Sequence, residues 1–353
     1  MVTKYLIFIF YIFFMFMYFF SIKYTRIRKY LYSTTMILIF LLLSFQDGYG
    51  TDYVNYSNYF LSNAENFPTY KGVIFSYSIK AINYFTDNKL IFFIFWSFLQ
   101  VYFLHRMIKI CNNFYIFYDK LEILLYVLIS SQFFIMMFNA LRSVFVTILI
   151  PIAFVLYYEK NKIKSMFVAI IAFLFHPVAI VFFPLFLIFN LFKKHYSIYI
   201  LLFVFVVIFL INRLNIIPDI AFFLYKYTCN LTPYSSYLVS SHMKAYENIN
   251  FLSILGIYFI VCMNFISFFF YKKERNKKTI FLYNLAYFTS LIRIFSYGIP
   301  IFGRIYLIFV IFEFFIPYIL FKKLKTKKFL YIGYFVLLAY IFTIIKYILF
   351  NNT

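Results

Sequence analysis

The sequence predicts an all-α fold, a polytopic integral membrane helix bundle with about 11–12 membrane segments that include one short helical hairpin. The 353 residues are 65% hydrophobic and only 12% are charged, which is too little polar surface for a soluble domain of this size. Apolar runs recur along the whole length. They are bounded by charges, which favours helical spans over the alternating strands of a barrel.

The apolar runs define the predicted spans in chain order. The first run lacks a small-residue cleavage site, so we interpret it as a retained span and not as a signal peptide. All of them belong to a single membrane-embedded domain, residues 1–353, with two large outer loops, 47–88 and 213–249. We expect spans near residues 4–20, 30–46, 89–108, 121–138, 143–158, 164–176, 178–192, 196–212, 250–271, 279–293, 304–321 and 329–348.

Basic residues set the predicted orientation. Lys and Arg collect in cytoplasmic loops of membrane proteins, so the net charge of +22 indicates topology and not a nucleic-acid partner. Of the 33 basic residues, 22 fall into six clusters that we place on the cytoplasmic side. These clusters lie at residues 23–29, 106–120, 160–164, 193–194, 272–278 and 322–328.

Two segments decide the number of crossings. If the segment from Lys164 to Lys194 were one long span, the basic stretch 272–277 would fall outside, which the charge rule disfavours. We therefore predict a hairpin of two short helices, with His176 and Pro177 at an apex that faces the outer side. The second segment, residues 72–85, carries Ser76, Lys80, Asn83 and Asp87 at helical spacing opposite Val73, Ile74, Tyr77, Ile82 and Phe85. We predict an amphipathic helix on the outer surface.

Arginine is rare in this chain, with eight among the 33 basic residues. Arg142, Arg293 and Arg304 lie at or near the outer ends of predicted spans, where the charge rule does not require them. A guanidinium holds phosphate bidentately and keeps its charge, so these three are candidate ligands of a lipid phosphate. The alternative is that they snorkel to lipid headgroups at the interface.

Two further groups can do proton chemistry. His176, in the segment AFLFHPVAIVFF, is either a general acid or base at the hairpin apex or a satisfied buried histidine. Asp47 and Asp52 lie in DGYGTDYVNY, where Gly48 and Gly50 allow a close-approaching backbone. Taken alone, this stretch is typical of a polar turn that leaves the membrane.

The sequence gives little sign of a metal or a cofactor. Asp47 and Asp52 have no His or Glu beside them at ligand spacing, and the cysteines, Cys111, Cys229 and Cys262, form no metal-type cluster. We therefore expect neither. Glu313 lies within a predicted span, where a carboxylate is functional, protonated or paired within the bundle.

Three stretches, taken in order, carry a family resemblance: GYGTDYVNYSNYF (48–60), the arginine-led span, basic turn and histidine segment (139–185), and RIFSYGIPIFGRIYLIF (293–309). The chain resembles the EpsG family of bacterial exopolysaccharide polymerases, relatives of the Wzy-type O-antigen polymerases. The resemblance implies a glycosyltransferase C-like, multi-pass enzyme of the bacterial cytoplasmic membrane that works in exopolysaccharide or capsule synthesis, with its active site on the extracytoplasmic face.

The resemblance also implies a substrate and roles for residues. The substrate would be an undecaprenyl-pyrophosphate-linked oligosaccharide, and other polysaccharide-assembly membrane proteins are expected partners. Arg142, Arg293 and Arg304 would bind the pyrophosphate. His176 or Asp52 would be the catalytic base, and Tyr53 and Tyr56 would line the sugar site. The rival interpretations are a lipid-linked oligosaccharide flippase, a glycan ligase and an O-acyltransferase; a flippase should carry charges deep in several spans, whereas most charges here lie at span ends and in loops.

Overall fold

The computed structural model describes residues 9–14, 16–17, 24–46, 52–63, 65, 72–114, 132–213, 271, 276–295, 303 and 305–313. Within these ranges the chain forms helices and turns and no strand, so the predicted all-α class is confirmed for them. The helices are α1 (Arg28–Ser44), α2 (Tyr53–Leu61), α3 (Val73–Asn83), α4 (Lys89–Phe114), α5 (Gln132–Asn139), α6 (Leu141–Tyr158), α7 (Lys162–Phe175), α8 (Phe182–Leu187), α9 (Ile198–Arg213) and α10 (Lys277–Phe295).

Two of these helices, α4 and α6, are long and apolar enough to cross a membrane, by length and composition. The helix α4 extends to Phe114, so Arg106 and Lys109 of the basic cluster predicted as a loop lie on the helix instead. The contacts divide the chain into two compact units, residues 1–184 with 326–353 and residues 185–325. The single domain over 1–353 stays a prediction.

In the first unit, α4, α6 and α7 enclose an aromatic core. Trp96 of α4 makes edge contacts with Phe145 of α6 and Phe175 of α7, with ring centroids 5.1 and 5.8 Å apart. Phe145 and Phe175 stack on each other at 4.3 Å. All three side chains are buried, and aromatic pairs of this kind contribute about 0.5–1.5 kcal/mol each beyond the burial of their area.

The helices α6 and α7 form an antiparallel hairpin with a tight turn. Asn161 N–H donates to the Leu156 carbonyl and Lys160 N–H to the Tyr157 carbonyl, which is the hydrogen-bond pattern of a Schellman motif. Lys160 has the positive φ of 66° that this motif requires at the position usually held by glycine. Further along, Ser165 Oγ donates to the Ala153 carbonyl at 2.7 Å and fixes the register of the two helices.

The chain breaks at His176 and Pro177, as predicted. The helix α7 ends at Phe175, and a 3₁₀ helix follows at Pro177–Val181. Phe182 then contacts Phe154 of α6 with ring centroids 6.1 Å apart, so the chain has turned back along the hairpin. The continuous helix predicted over 178–192 is wrong. Pro184 lies within this stretch and has no N–H to donate, and the stretch splits into α8 and a second 3₁₀ helix at Phe189–Lys193.

The helix predicted over 72–85 exists as α3, but Ser76 does not lie on an exposed polar face as predicted. Ser76, placed on the polar face, is buried together with Phe75 and Ile79, whereas Tyr77, placed on the apolar face, is exposed. The reason is packing: Phe75 contacts Phe92 and Trp96 of α4, and a hydroxyl as small as that of Ser76 is carried into the core with it.

In the second unit, α10 holds the segment that precedes α9. Asn284 Nδ2 donates to the carbonyls of Phe192 and Lys194, each at 2.8 Å, and so satisfies carbonyls at the end of the 3₁₀ helix. The Tyr271 hydroxyl lies 3.2 Å from Asn284 Oδ1. Residues 305–313 are helical and pack beside α10. There, Thr289 and Phe288 contact Phe309.

Candidate functional site

The candidate site lies at one end of the α6–α7 hairpin. Arg142 is the second residue of α6, and His176 follows the last residue of α7. The pairs Ala153–Ser165 and Phe145–Phe175 set the register of two antiparallel helices. The same register brings Arg142 and His176 to the same end of the hairpin, opposite the Lys160 turn.

Gly72, the residue before α3, lies directly against this end. A Cβ atom built on Gly72 would be 2.7 Å from the Phe175 carbonyl oxygen and 3.5 Å from Arg142 Cδ. The Phe175 carbonyl belongs to the peptide bond that leads into His176. The start of α3, the side chain of Arg142 and the backbone before His176 therefore meet at one point.

Arg142 is half-buried and lies over an aromatic ring. Its guanidinium carbon is 5.6 Å from the centroid of Phe75, which is itself fully buried in the aromatic core. A cation over a ring face is stabilised by about 0.5–2 kcal/mol, and more where water is excluded. Phe75 thus supports the cation from below while belonging to α3, the helix that Gly72 begins.

Tyr56 of α2 connects Arg142 to Asp52. Its side chain is 3% exposed, and its hydroxyl donates to Asp52 Oδ2 at 3.5 Å, at the long end of the hydrogen-bond range. Burial raises the pKa of Tyr56 to about 12; the charge of Arg142 and hydrogen bonds from Arg142 oppose the increase, and the Asp52 carboxylate adds to it. The hydroxyl therefore stays protonated at neutral pH and remains a donor to the carboxylate.

Asp52 is the N-cap residue that precedes α2, yet its carboxylate makes no cap hydrogen bond to the helix. Aspartate is a favoured N-cap because its side chain can accept from the first turn of the helix. Here the backbone carbonyl of Asp52 accepts from Tyr56 N–H at 2.9 Å, and the side chain is directed to the Tyr56 hydroxyl. The carboxylate is half-buried, and both Asp52 and Arg142 interact with Tyr56.

His176 is half-buried, and one of its two ring nitrogens is engaged by the backbone. Val178 N–H donates to His176 Nδ1 at 3.2 Å, which caps the 3₁₀ helix that starts at Pro177. A nitrogen that accepts a hydrogen bond carries no proton, so the neutral ring has its proton on Nε2. In this arrangement Nε2–H is a donor.

Tyr53, also predicted for the sugar site, packs inward. Its ring is 6% exposed and stacks on Phe93 of α4 with centroids 4.7 Å apart. The Lys89 ammonium lies 5.7 Å from the same ring. These contacts anchor α2 on α4, and contact of Tyr53 with a sugar stays a prediction.

Arg293 lies in the second unit and is bound by Glu313. Its Nη1 is 3.0 and 3.1 Å from the two carboxylate oxygens, and the Tyr306 hydroxyl donates to Glu313 Oε2 at 2.7 Å. The guanidinium carbon is 4.9 Å from the centroid of the Tyr306 ring. Arg293 and Tyr306 are almost fully buried and Glu313 is fully buried. Of the alternatives for Glu313, the structure shows pairing within the bundle.

Other predicted positions lie outside the described residues. These are Arg304, Asp47, Gly48, Gly50 and the loop 213–249 beyond its first residue. Among the residues that the structure does describe, no group of three or more His, Cys, Asp or Glu side chains is placed to hold a metal ion. Roles for Arg293 and Arg304 in pyrophosphate binding stay predictions.

Sequence reasoning missed two residues of the site, Gly72 and Phe75. One signal for Gly72 was available, because glycine occurs only seven times in the chain and Gly72 opens an amphipathic segment. Phe75 carried no signal among 57 phenylalanines. Its place beneath Arg142 depends on the packing of α3 against α4 and against α7, and α7 is distant from α3 in sequence.

The model of the EpsG family matches residues 29–353, nearly the whole chain. The chain belongs to the EpsG family. This family comprises exopolysaccharide polymerase-like proteins, and its polymerases are membrane proteins. A search of curated proteins and a search of solved structures found no match. The family match spans both compact units and all of the candidate residues named above.

Proposed function

We propose that this EpsG-family chain is a polysaccharide polymerase of the bacterial cytoplasmic membrane. It transfers a growing glycan from its lipid pyrophosphate carrier onto a new undecaprenyl-pyrophosphate-linked repeat unit at the extracytoplasmic face. The observation that carries the proposal is that Arg142 meets the backbone before His176 at Gly72 and also interacts with the Tyr56 hydroxyl, which donates to Asp52. A cation, a carboxylate and an imidazole at one end of a hairpin are the groups that this transfer needs.

In this reaction the cation acts on the lipid-linked donor, and the carboxylate acts on the acceptor sugar. A hydroxyl oxygen of the acceptor sugar attacks the anomeric carbon of the donor glycan. The bond from that carbon to the pyrophosphate oxygen breaks, and the lipid pyrophosphate leaves with the electron pair. Arg142 stabilises the charge on the leaving group. The proton of the attacking hydroxyl goes to Asp52, which receives it as general base.

The tautomer of His176 supports this division of roles. Because Nδ1 accepts from Val178 N–H, the neutral ring presents Nε2–H and has no second acceptor for a proton. His176 then donates a hydrogen bond to the pyrophosphate or to a sugar hydroxyl. Of the two candidate bases, Asp52 is the one whose geometry suits the task.

The charges at the two ends of α6 support the proposed placement at the outer face. The Arg142 end and the Lys160 turn are separated by the length of this 18-residue helix, about 27 Å, close to the thickness of a hydrocarbon core of about 30 Å. Lys160, Lys162 and Lys164 cluster at the turn, which the charge rule places in the cytoplasm. The Arg142 end is then extracytoplasmic.

Exposed apolar stripes support the polytopic bundle. Soluble proteins seldom expose large contiguous apolar surface, and such stripes suit contact with lipid. Each of three helices has apolar side chains on one face that are at least a third exposed. They are Ile91, Phe95, Phe98 and Tyr102 on α4, Ile163, Phe167 and Ile170 on α7, and Tyr199, Phe203, Val206 and Leu210 on α9.

The test is a polymerisation assay on Arg142→Lys and His176→Ala enzymes supplied with lipid-linked repeat units. We expect Arg142→Lys to lower the rate about 10²-fold, because an ammonium cannot bind phosphate bidentately. His176→Ala should shorten the chains. Arg26→Lys is the matched control, since Arg26 is exposed and far along the chain from the site. Chain-length distributions of the wild type in both site variants contradict the proposal.

A cell phenotype separates the polymerase from a flippase. Cells with an inactive polymerase still display single repeat units on the outer face, because translocation of the lipid-linked unit is intact. Cells that lack the flippase display none. Loss of surface repeat units in the Arg142→Lys strain therefore favours transport over polymerisation.

A further inference from the structure

Gly72, the residue before α3, lies in close contact with Phe175 and Arg142. A distance of 2.7 Å between a Cβ and a backbone carbonyl oxygen is shorter than real contacts, so any side chain at this position forces the backbone to move. The requirement for glycine comes from space and not from conformation. The φ of Gly72 is 163°, an extended value that any residue adopts.

The atom that a side chain would displace is linked covalently to His176. The Phe175 carbonyl and the His176 N–H share one peptide plane, and that N–H donates to the Ala172 carbonyl at 3.0 Å as the last hydrogen bond of α7. A shift of the Phe175 oxygen therefore rotates the peptide plane that orients His176. The second neighbour, Arg142 Cδ at 3.5 Å, is in ordinary contact.

The helix α3 is held at both of its ends. A side chain at position 72 should therefore displace the Phe175 carbonyl at the end of α7 and not α3 itself. Near its start, Phe75 is fully buried among Phe92 and Trp96 of α4. At its end, Asn83 Nδ2 donates to the Phe60 carbonyl at 2.6 Å and ties α3 to the last turn of α2. On the other side of the contact, the backbone of His176 is extended where α7 passes into the five-residue 3₁₀ helix.

We infer that Gly72 is a positioning residue that sets the separation and orientation of Arg142 and His176. It acts on the proposed transfer, on which this inference rests, by letting α3 lie against the end of α7 without displacing the imidazole. A misplacement of about 1 Å in a catalytic group can cost about 10²-fold in rate. Gly72 thus fixes the geometry of the groups that act in the reaction, although it carries no reactive group itself.

The test compares Gly72→Ala with Val73→Ile in the full-length enzyme reconstituted in lipid nanodiscs. Gly72→Ala adds one methyl group at the contact, and Val73→Ile adds one carbon at the next, exposed position. We expect Gly72→Ala to lower kcat by about 10- to 100-fold with little change in KM for the lipid-linked substrates, because their binding groups remain. Val73→Ile should retain the rate of the wild type. Wild-type kcat in Gly72→Ala overturns the inference.

Release of α3 supplies a second, independent readout. Asn83→Ala removes the tie to α2, so α3 can retreat from α7, and the double variant Gly72→Ala/Asn83→Ala should recover part of the lost kcat. If Gly72→Ala alone gives little folded enzyme, the double variant should restore the folded yield. No recovery of kcat or of yield contradicts the assigned origin of the strain.

The outcomes also separate this inference from the proposed function. If Gly72→Ala is fully active while Arg142→Lys and His176→Ala are impaired, only the role of Gly72 fails. If all three variants polymerise as the wild type does, the proposed function fails.

Discussion

Arg142 and Arg293 are surrounded by the same kinds of group in two different units of the chain. Each guanidinium lies over an aromatic ring, at 5.6 Å from Phe75 and 4.9 Å from Tyr306. Each is also near a tyrosine hydroxyl that donates to a carboxylate. That hydrogen bond is 3.5 Å long between Tyr56 and Asp52 and 2.7 Å between Tyr306 and Glu313.

The difference lies in burial and in what the guanidinium touches. Arg293 binds both oxygens of a fully buried carboxylate, so its charge is balanced inside the bundle. Arg142 is half-buried, and so is Asp52, with the Tyr56 hydroxyl interacting with both. A closed, charge-balanced cluster stabilises a fold, whereas a partly exposed guanidinium can still be reached by an anionic ligand.

Removal of Glu313 gives the largest expected effect on stability. Glu313→Ala leaves the Arg293 charge buried without its carboxylate, which costs about 3–5 kcal/mol of the free energy of unfolding. Replacement of both residues, as Arg293→Leu/Glu313→Leu, should cost far less, because no buried charge remains. Thermal unfolding of the purified variants in detergent measures both.

The matched experiment in the first unit is Arg142→Leu. We expect it to cost about 1–2 kcal/mol of the free energy of unfolding, because a half-buried cation loses its contact with the Phe75 ring and its hydrogen bonding to Tyr56, while polymerisation is lost. Equal losses of stability in Glu313→Ala and Arg142→Leu remove the distinction between a structural and a functional arginine.

Tyr306→Phe is expected to have the next largest effect. It keeps the ring beneath Arg293 and removes only the hydroxyl that donates to Glu313, a buried hydrogen bond to a charged group worth about 1.5–3 kcal/mol. Tyr199→Phe is the control, since the Tyr199 side chain is exposed on α9. A melting temperature equal to that of the control indicates that the Arg293–Glu313 pair does not depend on the hydroxyl.

Local patterns predicted the parts of this fold that depend on local chemistry. Apolar length predicted α1, α4 and α6, and the imino acid Pro177 predicted the break after α7. The charge pattern placed Lys160 and Arg142 at opposite ends of one helix. These features need only the hydropathy of a run of residues or the missing N–H of a proline.

Long-range contacts account for what the sequence did not show. Phe75 of α3 packs on Phe92 and Trp96, and Ser76 beside it is buried although its spacing with Lys80 and Asn83 predicted a polar face. The partner of Gly72 is Phe175, more than a hundred positions away, and no local pattern encodes that contact. The pairing of Arg293 with Glu313 likewise depends on how residues 305–313 pack against α10.

Tyr56→Phe is expected to change stability least and sharpens the comparison most. The hydrogen bond to Asp52 is long, so its loss should cost about 0.5 kcal/mol of the free energy of unfolding. The rate of polymerisation should nevertheless fall about 10-fold, because the hydroxyl orients the proposed base beside Arg142. Kinetic and unfolding measurements on the same preparation compare the two effects, and Tyr59→Phe on the same helix is the control.

The pH dependence provides the final check on Tyr56. Its pKa is raised from 10.0 to about 12 in the folded chain, so the protonated hydroxyl favours folding, and this contribution is complete below about pH 10 and lost as the pH rises toward 12. The 10-fold loss of rate in Tyr56→Phe should therefore be constant from about pH 6 to pH 9, where the hydroxyl does not titrate. If the rate difference between the wild type and Tyr56→Phe disappears within that range, the hydroxyl is ionised there. Tyr56 then does not act as a fixed hydrogen-bond donor to Asp52.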